Sequence, residues 1–279
     1  MTSSVPMSPE NEPLRTPSAY CALFSTVQCW PASGNPILIV NGHVPWIENL
    51  FRQTEVHLVS PGVMTYGTVV GHTPIVPGGF TDHHAVGGTV NTLDNVDLYE
   101  LTLADGGYLW DGETRPFETQ THTIRVRQAD GTLERKALES VWPVHGPVLA
   151  QKDGKAIAVR LADLDQPFQY EQYWQMARAR SFAEFEKAVM RLQTAKSNMS
   201  YADRDGHIYY FSGARIPRRA EGDVAYWAGI VPGHTSGTLW TDVLGYDELP
   251  HFLDPVSGWI HNANDPPWYT TMPQEYRQH

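Results

Sequence analysis

The chain has 279 residues, of which 41% are hydrophobic and 18% charged, with a formal net charge of −11. That length supports a substantial core, and the composition is globular rather than disordered. The acidic balance speaks against a nucleic-acid or anionic-membrane partner, since both need clustered Lys and Arg. No apolar run reaches the roughly 20 residues of a membrane-spanning helix.

Residues 1–20 are polar, with three prolines in the first thirteen (positions 6, 9 and 13), and read as a flexible leader without the basic start and apolar centre of a signal peptide. Cys21–Val27 and Ile37–Val40 read as two strands around the turn residues Ala32-Ser33-Gly34-Asn35-Pro36. This hairpin carries a thiol at one end and the polar set Asn41-Gly42-His43 at the other. The alternative reading is a core hairpin with an incidental cysteine. The other cysteine, Cys29, would lie about 26 Å from Cys21 along one extended strand, so a disulfide is not expected.

Strands are predicted over 54–59 and 63–70, with Gly67 as a bulge, and Gly71–Gly88 reads as a Gly/Pro/His-rich loop. From Leu98 to Leu161 the pattern is antiparallel sheet. Asp130-Gly131 and Asp153-Gly154 mark two hairpins, over 121–138 and 147–161. A helix is predicted over 171–178, and Ser181-Phe182-Ala183-Glu184 opens another as a capping box. Strands resume at 198–203 and 207–211, and the tail from Arg215 reads as loop-rich. The ordering predicts an α+β protein with a large antiparallel β portion.

Two local clusters invite chemistry. His83-His84 lacks the spacing of a metal site, because strand neighbours point to opposite faces, and reads as two surface loop histidines. Asp94-Asn95-Val96-Asp97 offers two carboxylates, an amide and backbone carbonyls, a donor set suited to calcium and equally the composition of a plain turn. P-loop and dinucleotide fingerprints are absent.

Seven motifs, spread in order after residue 20, carry a family resemblance: ASGNPILIVNGHVPW (32–46), TEVHLVSPG (54–62), LADGGYLWDGETRPFE (103–118), VHGPV (144–148), YADRDGHIYYFSGARIPRR (201–219), WAGIVPG (227–233) and IHNANDPPW (260–268). The chain resembles the N-terminal part of the catalytic β-chain of the penicillin acylase family, glutaryl-cephalosporin acylases above all. The resemblance implies an N-terminal nucleophile hydrolase with an αββα sandwich, here incomplete, over residues 21–279. It implies an amidohydrolase that cleaves the side-chain amide of a small N-acyl compound, a β-lactam or similar, after autocatalytic cleavage frees the nucleophile. The position matching the nucleophilic serine is Cys21, a thiol able to perform both the self-cleavage acyl shift and the attack. His43 matches the histidine beside the nucleophile. The Val90 N–H and the Asn264 side-chain amide match the oxyanion-hole donors. Asp94, Val96 and Asp97 match calcium ligands, and Val44, Gln53, Val70 and Ser197 match the acyl pocket.

The chain also departs from the pattern. Ala22 stands where the cephalosporin acylases carry asparagine, Pro77 where an arginine receives their acidic acyl chain, and Ser197 where a phenylalanine lines the pocket. The resemblance further implies an α-chain before the nucleophile and more β-chain after Trp268. The expected partner is therefore a second chain supplying those parts. A truncated or degenerate homologue, non-catalytic alone, is the alternative.

Overall fold

The computed structural model describes residues 22–28, 35–43, 52–70, 73, 75–164, 166, 168–194, 196–220, 222–272 and 274, with backbone alone for 22–28 and 43. The first half of the chain builds strands β1 (Ala22–Gln28), β2 (Ile37–His43), β3 (Gln53–Ser60), β4 (Val63–Val70), β5 (Gly78–Thr81), β6 (His84–Thr89), β7 (Val96–Ala104), β8 (Gly107–Trp110), β9 (Glu113–Arg115), β10 (Glu118–Arg127) and β11 (Leu133–Trp142). There follow β12 (Val148–Lys152), β13 (Lys155–Leu161), helices α1 (Gln169–Arg178) and α2 (Phe182–Val189), β14 (Ser197–Asp203) and β15 (Ile208–Gly213). A short helix α3 (Val224–Trp227), then β16 (Ile230–Pro232), β17 (His251–Leu253) and β18 (Trp259–Asn262), complete the described elements. No described helix is long and apolar enough to cross a membrane.

The centre is a seven-stranded antiparallel sheet in the order β17-β15-β14-β6-β5-β4-β3. Its layering follows from alternation along β14 and β15. Met199, Tyr201, Tyr209 and Phe211 share one face, where they meet Met176 of α1 and Phe185 and Val189 of α2. The Phe185 and Tyr201 rings are 4.4 Å apart. Fully burying an aromatic side chain such as Phe185 contributes roughly 2–3 kcal/mol. The intervening residues face the other way, so Ala202, Ile208 and Tyr210 pack with Ile260 of the three-stranded sheet β18-β1-β2 and with Leu38. Helices, large sheet and small sheet thus stack as three layers.

A second core lies in the six-stranded sheet β12-β13-β7-β8-β9, which β16 joins parallel to β7. There Tyr99, Leu101, Tyr108, Ala156 and Ala158 pack against Trp227 and Trp240. The predicted turns are confirmed. Asp153 and Gly154 both have positive φ (52° and 76°), and they join β12 to β13. Asp130 accepts from the Thr132 N–H at 2.9 Å below the β10–β11 hairpin. Ser181 caps α2 by accepting from the Glu184 N–H, while the Glu184 carboxylate reaches back to the Arg180 N–H at 2.9 Å.

Four expectations are corrected. The predicted loop 71–88 contains β5 and β6. The glycines there serve close backbone approach: a Cβ on Gly67 would lie 2.2 Å from the Gly78 carbonyl oxygen, and one on Gly79 2.2 Å from that of Tyr66. Gly67 is not a bulge, since its pairing with Val56 and Gly79 runs without a register shift. Nor is His84 a surface residue. It is buried on β6, stacked on Tyr201 and edge-on to Phe185, and burial lowers its pKa to about 4. Finally, the loop-rich tail supplies β16, β17 and β18, strands of three or four residues that are too short to show alternation.

Candidate active site

Cys21 and Val44 lie outside the described residues. Their chain neighbours Ala22 and His43 are register partners at one end of the β1–β2 hairpin. On the other side of β1, the antiparallel register with β18 pairs Ser25 with Asn262. Beyond Asn262 the chain therefore heads toward the Ala22 end of β1, and Asn264 lies there. Asn264 adopts a left-handed backbone (φ 72°), and its Nδ2 donates to the Val90 carbonyl at 2.7 Å. The two oxyanion-hole candidates, far apart in sequence, are in direct contact. An amide nitrogen carries two N–H donors, so one remains after that bond.

A buried polar network holds this corner. Thr89 donates to the Asn262 Oδ1, and Asn198 Nδ2 donates to both Thr89 Oγ1 (2.9 Å) and Asn262 Oδ1 (3.0 Å). The Tyr210 hydroxyl donates to Asn198 Oδ1 at 2.8 Å, and burial pushes its pKa up to about 12, which keeps it a neutral donor. Asn262 Oδ1 also accepts from the Asn264 N–H at 3.0 Å, and Asn262 Nδ2 donates to the Asp265 carbonyl at 2.8 Å. The network ties the end of β6, which leads into Val90, to the turn that presents Asn264. Sequence reading did not single out Thr89, Asn198 or Tyr210. The available signal was the polar pair Asn198 and Ser200 on one face of a strand that is buried on both faces.

Of the pocket candidates, Ser197 adjoins Val90, because Asn198 pairs with Thr89 one residue further in. Asn91 fastens that neighbourhood by donating from Nδ2 to the Ser197 and Gly213 carbonyls, both at 3.0 Å. Val70 and Gln53 are register partners, and strand-to-strand pairing places them at the same end of the large sheet as Thr89. At about 4.8 Å per strand, Val70 is roughly 10 Å and Gln53 roughly 14 Å from Thr89 across the sheet. Val90, Ser197, Val70 and Gln53 therefore line one end of the sheet.

The calcium candidates are arranged differently from a metal site. Asp97 is buried and its two oxygens accept from Arg219 Nε at 3.1 and 3.0 Å, with Trp240 Nε1 donating to Oδ2 at 2.7 Å. Asp94 Oδ2 accepts from Arg219 Nη2 at 2.9 Å, and Asp94 Oδ1 from the Val96 N–H at 3.3 Å. These residues do not fit calcium as they stand, because each carboxylate oxygen faces an N–H donor. No cluster of three or more His, Cys, Asp or Glu able to hold a metal occurs among the described residues.

Comparison with known proteins accords with this geometry. The sequence model of the penicillin amidase family matches residues 31–279. An acyl-homoserine lactone acylase PvdQ from Pseudomonas putida is 30% identical over 273 residues, 87% of this chain and 35% of that protein. Penicillin G acylase from Escherichia coli is 28% identical over 220 residues, 71% of this chain and 24% of that protein. The chain thus spans about a third or less of the length of these relatives. Among solved structures, thermostable penicillin G acylase from Alcaligenes faecalis superposes with a TM-score of 0.75 at 27% identity, covering 88% of this chain and 44% of that one. The architecture is that of an N-terminal nucleophile hydrolase, mostly antiparallel sheet with few helices. By its sequence match and its fold, this chain belongs to the penicillin amidase family.

Proposed function

We propose that this chain carries the nucleophile and oxyanion-hole part of an amidohydrolase that removes the acyl group from a small N-acyl compound. The observation that carries the reading is the Asn264–Val90 contact at the end of β1 that follows Cys21. In this reading, cleavage at Tyr20–Cys21 frees an α-amine, which takes the thiol proton as the sulfur attacks the amide carbonyl. Negative charge develops on the carbonyl oxygen, where the Val90 N–H and the second Asn264 amide proton receive it. Two such donors are worth several kcal/mol to an acyl-transfer transition state. The amine product leaves with the proton, and water then releases the acid from the thioester. His43, registered opposite Ala22, assists proton movement at the nucleophile.

The relatives' names bring two substrate classes to this chain, N-acyl homoserine lactones and penicillin-type β-lactams. Pro77 and Ser197, in place of an anion-binding arginine and a bulky aromatic, favour an uncharged acyl chain over a glutaryl-type one. One structural feature favours a partner-dependent form over a self-sufficient one. Strand β2 is an edge of its sheet among the described residues, with Ile37, Ile39 and Val40 exposed by 47, 55 and 46%. Such an apolar edge is a place for further strands to pair. A second segment supplying the rest of the acylase is therefore part of the proposal, with calcium not assigned to it.

The test is intact mass and turnover, for the chain alone and co-expressed with the remainder of a homologous acylase. Loss of residues 1–20, with release of acid from an octanoyl or phenylacetyl amide that C21A abolishes, is the expected result. An uncleaved, inert chain in both settings refutes the enzyme reading and leaves the degenerate homologue.

A further inference from the structure

The pair Asp94 and Asp97 presents a charge problem that the fold must solve. Asp97 has a side chain with no exposure, and a buried carboxylate is tolerated only when paired and fully hydrogen-bonded. A divalent cation is one solution, and the one the family resemblance implies. The structure contains another. The Arg219 side chain is 16% exposed and bridges both carboxylates, Nε toward Asp97 and Nη2 toward Asp94. The guanidinium lies 5.5 Å from the centre of the Trp227 ring. Trp240 completes the Asp97 shell through its indole N–H, and its own ring stacks beneath Arg160 at 4.2 Å.

The chemistry of this shell discriminates between cations. Calcium takes six to eight oxygen atoms and no N–H groups. Here every carboxylate oxygen already accepts from nitrogen: the Val96 N–H on Asp94, the Trp240 indole on Asp97, and the planar fork of Arg219 on both. We infer that Arg219 is a built-in cation occupying the place of the family's calcium, so that Asp94 and Asp97 hold a guanidinium and take up a metal only when Arg219 is removed. The consequence is structural. The Arg219 pairing clamps the segment after Val90 to the chain that follows β15, independently of calcium supply and of whether the chain hydrolyses amides.

Terbium luminescence and thermal melting of the full chain test this, since Trp240 beside Asp97 would sensitise a bound lanthanide. For the wild type, we expect no saturable terbium emission and no change in melting midpoint with millimolar calcium or chelator. R219A should melt roughly 10 °C lower, as a buried carboxylate loses its partner. It should also gain saturable terbium emission that calcium displaces and a second change, D97N, removes, and calcium should recover part of its lost midpoint. A wild type that retains stoichiometric calcium after desalting, or that melts lower with chelator, overturns the inference. So does an R219A protein that folds and binds no cation. Should R219A fail to fold, R219M preserves the side-chain volume for the terbium arm, and the wild-type arms decide on their own.

Discussion

Acid should unfold this protein through two buried imidazoles, and His145 is the cleaner probe. It is fully buried among Tyr99, Tyr108 and Trp110, with ring centroids 4.4, 6.5 and 5.2 Å away. Neither ring nitrogen has a hydrogen-bond partner among the described residues. Burial first, then the nearby Arg160 and Arg115 charges, lowers its pKa from 6.5 to about 4, and burial does the same to His84. The unfolded chain therefore binds more protons than the folded one between those values. Stability is unaffected by these groups above pH 6.5 and falls as pH drops from 6.5 toward 4. At pH 5 each imidazole costs about 2 kcal/mol relative to pH 7.5, so the pair costs about 4 kcal/mol. H145F keeps an aromatic ring in the site and removes the titration. Urea unfolding at both pH values should show the acid-induced loss cut by about half in the variant. His207, whose pKa is raised by its hydrogen bond to Asp254, acts in the opposite sense: its contribution is present below pH 6.5 and fades as pH rises. It is half exposed, contributes little, and cancels between the two proteins. Equal pH dependence in H145F and wild type would refute the reasoning.

Other perturbations test the framework that positions the site. N198A strips Tyr210 of its acceptor and leaves polar groups of Thr89 and Asn262 short of a donor, at a cost of about 2–3 kcal/mol in denaturant unfolding. A loss under 0.5 kcal/mol would mean the network is dispensable. F185A should cost about 3–5 kcal/mol by emptying the fully buried ring site between α2 and β14. G67A forces a methyl group against the Gly78 carbonyl and should cost about 1–3 kcal/mol or more, with proteolysis expected near β4 and β5. G154A, at a turn with φ of 76° and open space around it, should cost only about 1 kcal/mol. If the two glycine variants are equally stable, close backbone approach is not what those strand glycines provide.

Much of the architecture was legible in local pattern. Asp153-Gly154 and Asp130-Gly131 announced their hairpins because positive φ is a demand that few residues meet cheaply. Ser181 and Glu184 announced α2 because a helix start needs partners for its free N–H groups. Strands β5 and β6 were hidden because glycine carries no side chain to alternate. Their strand character comes from backbones that approach more closely than a Cβ allows, a relation between β4 and β5 that neither segment expresses alone.

The site divides along the same line. By itself, the sequence determined the family through motifs in order, the turns, the capped helix and the two-faced strands, since each rests on steric or hydrogen-bonding needs satisfied within a few residues. Only the tertiary structure decided that Val90 meets Asn264, 174 residues away, and that Arg219 reaches back 122 residues to Asp97. A carboxylate pair reads alike in sequence whether a metal or an arginine neutralises it. The choice is made by which donors the packed sheets bring within 3 Å, and that distance exists only once the layers have closed.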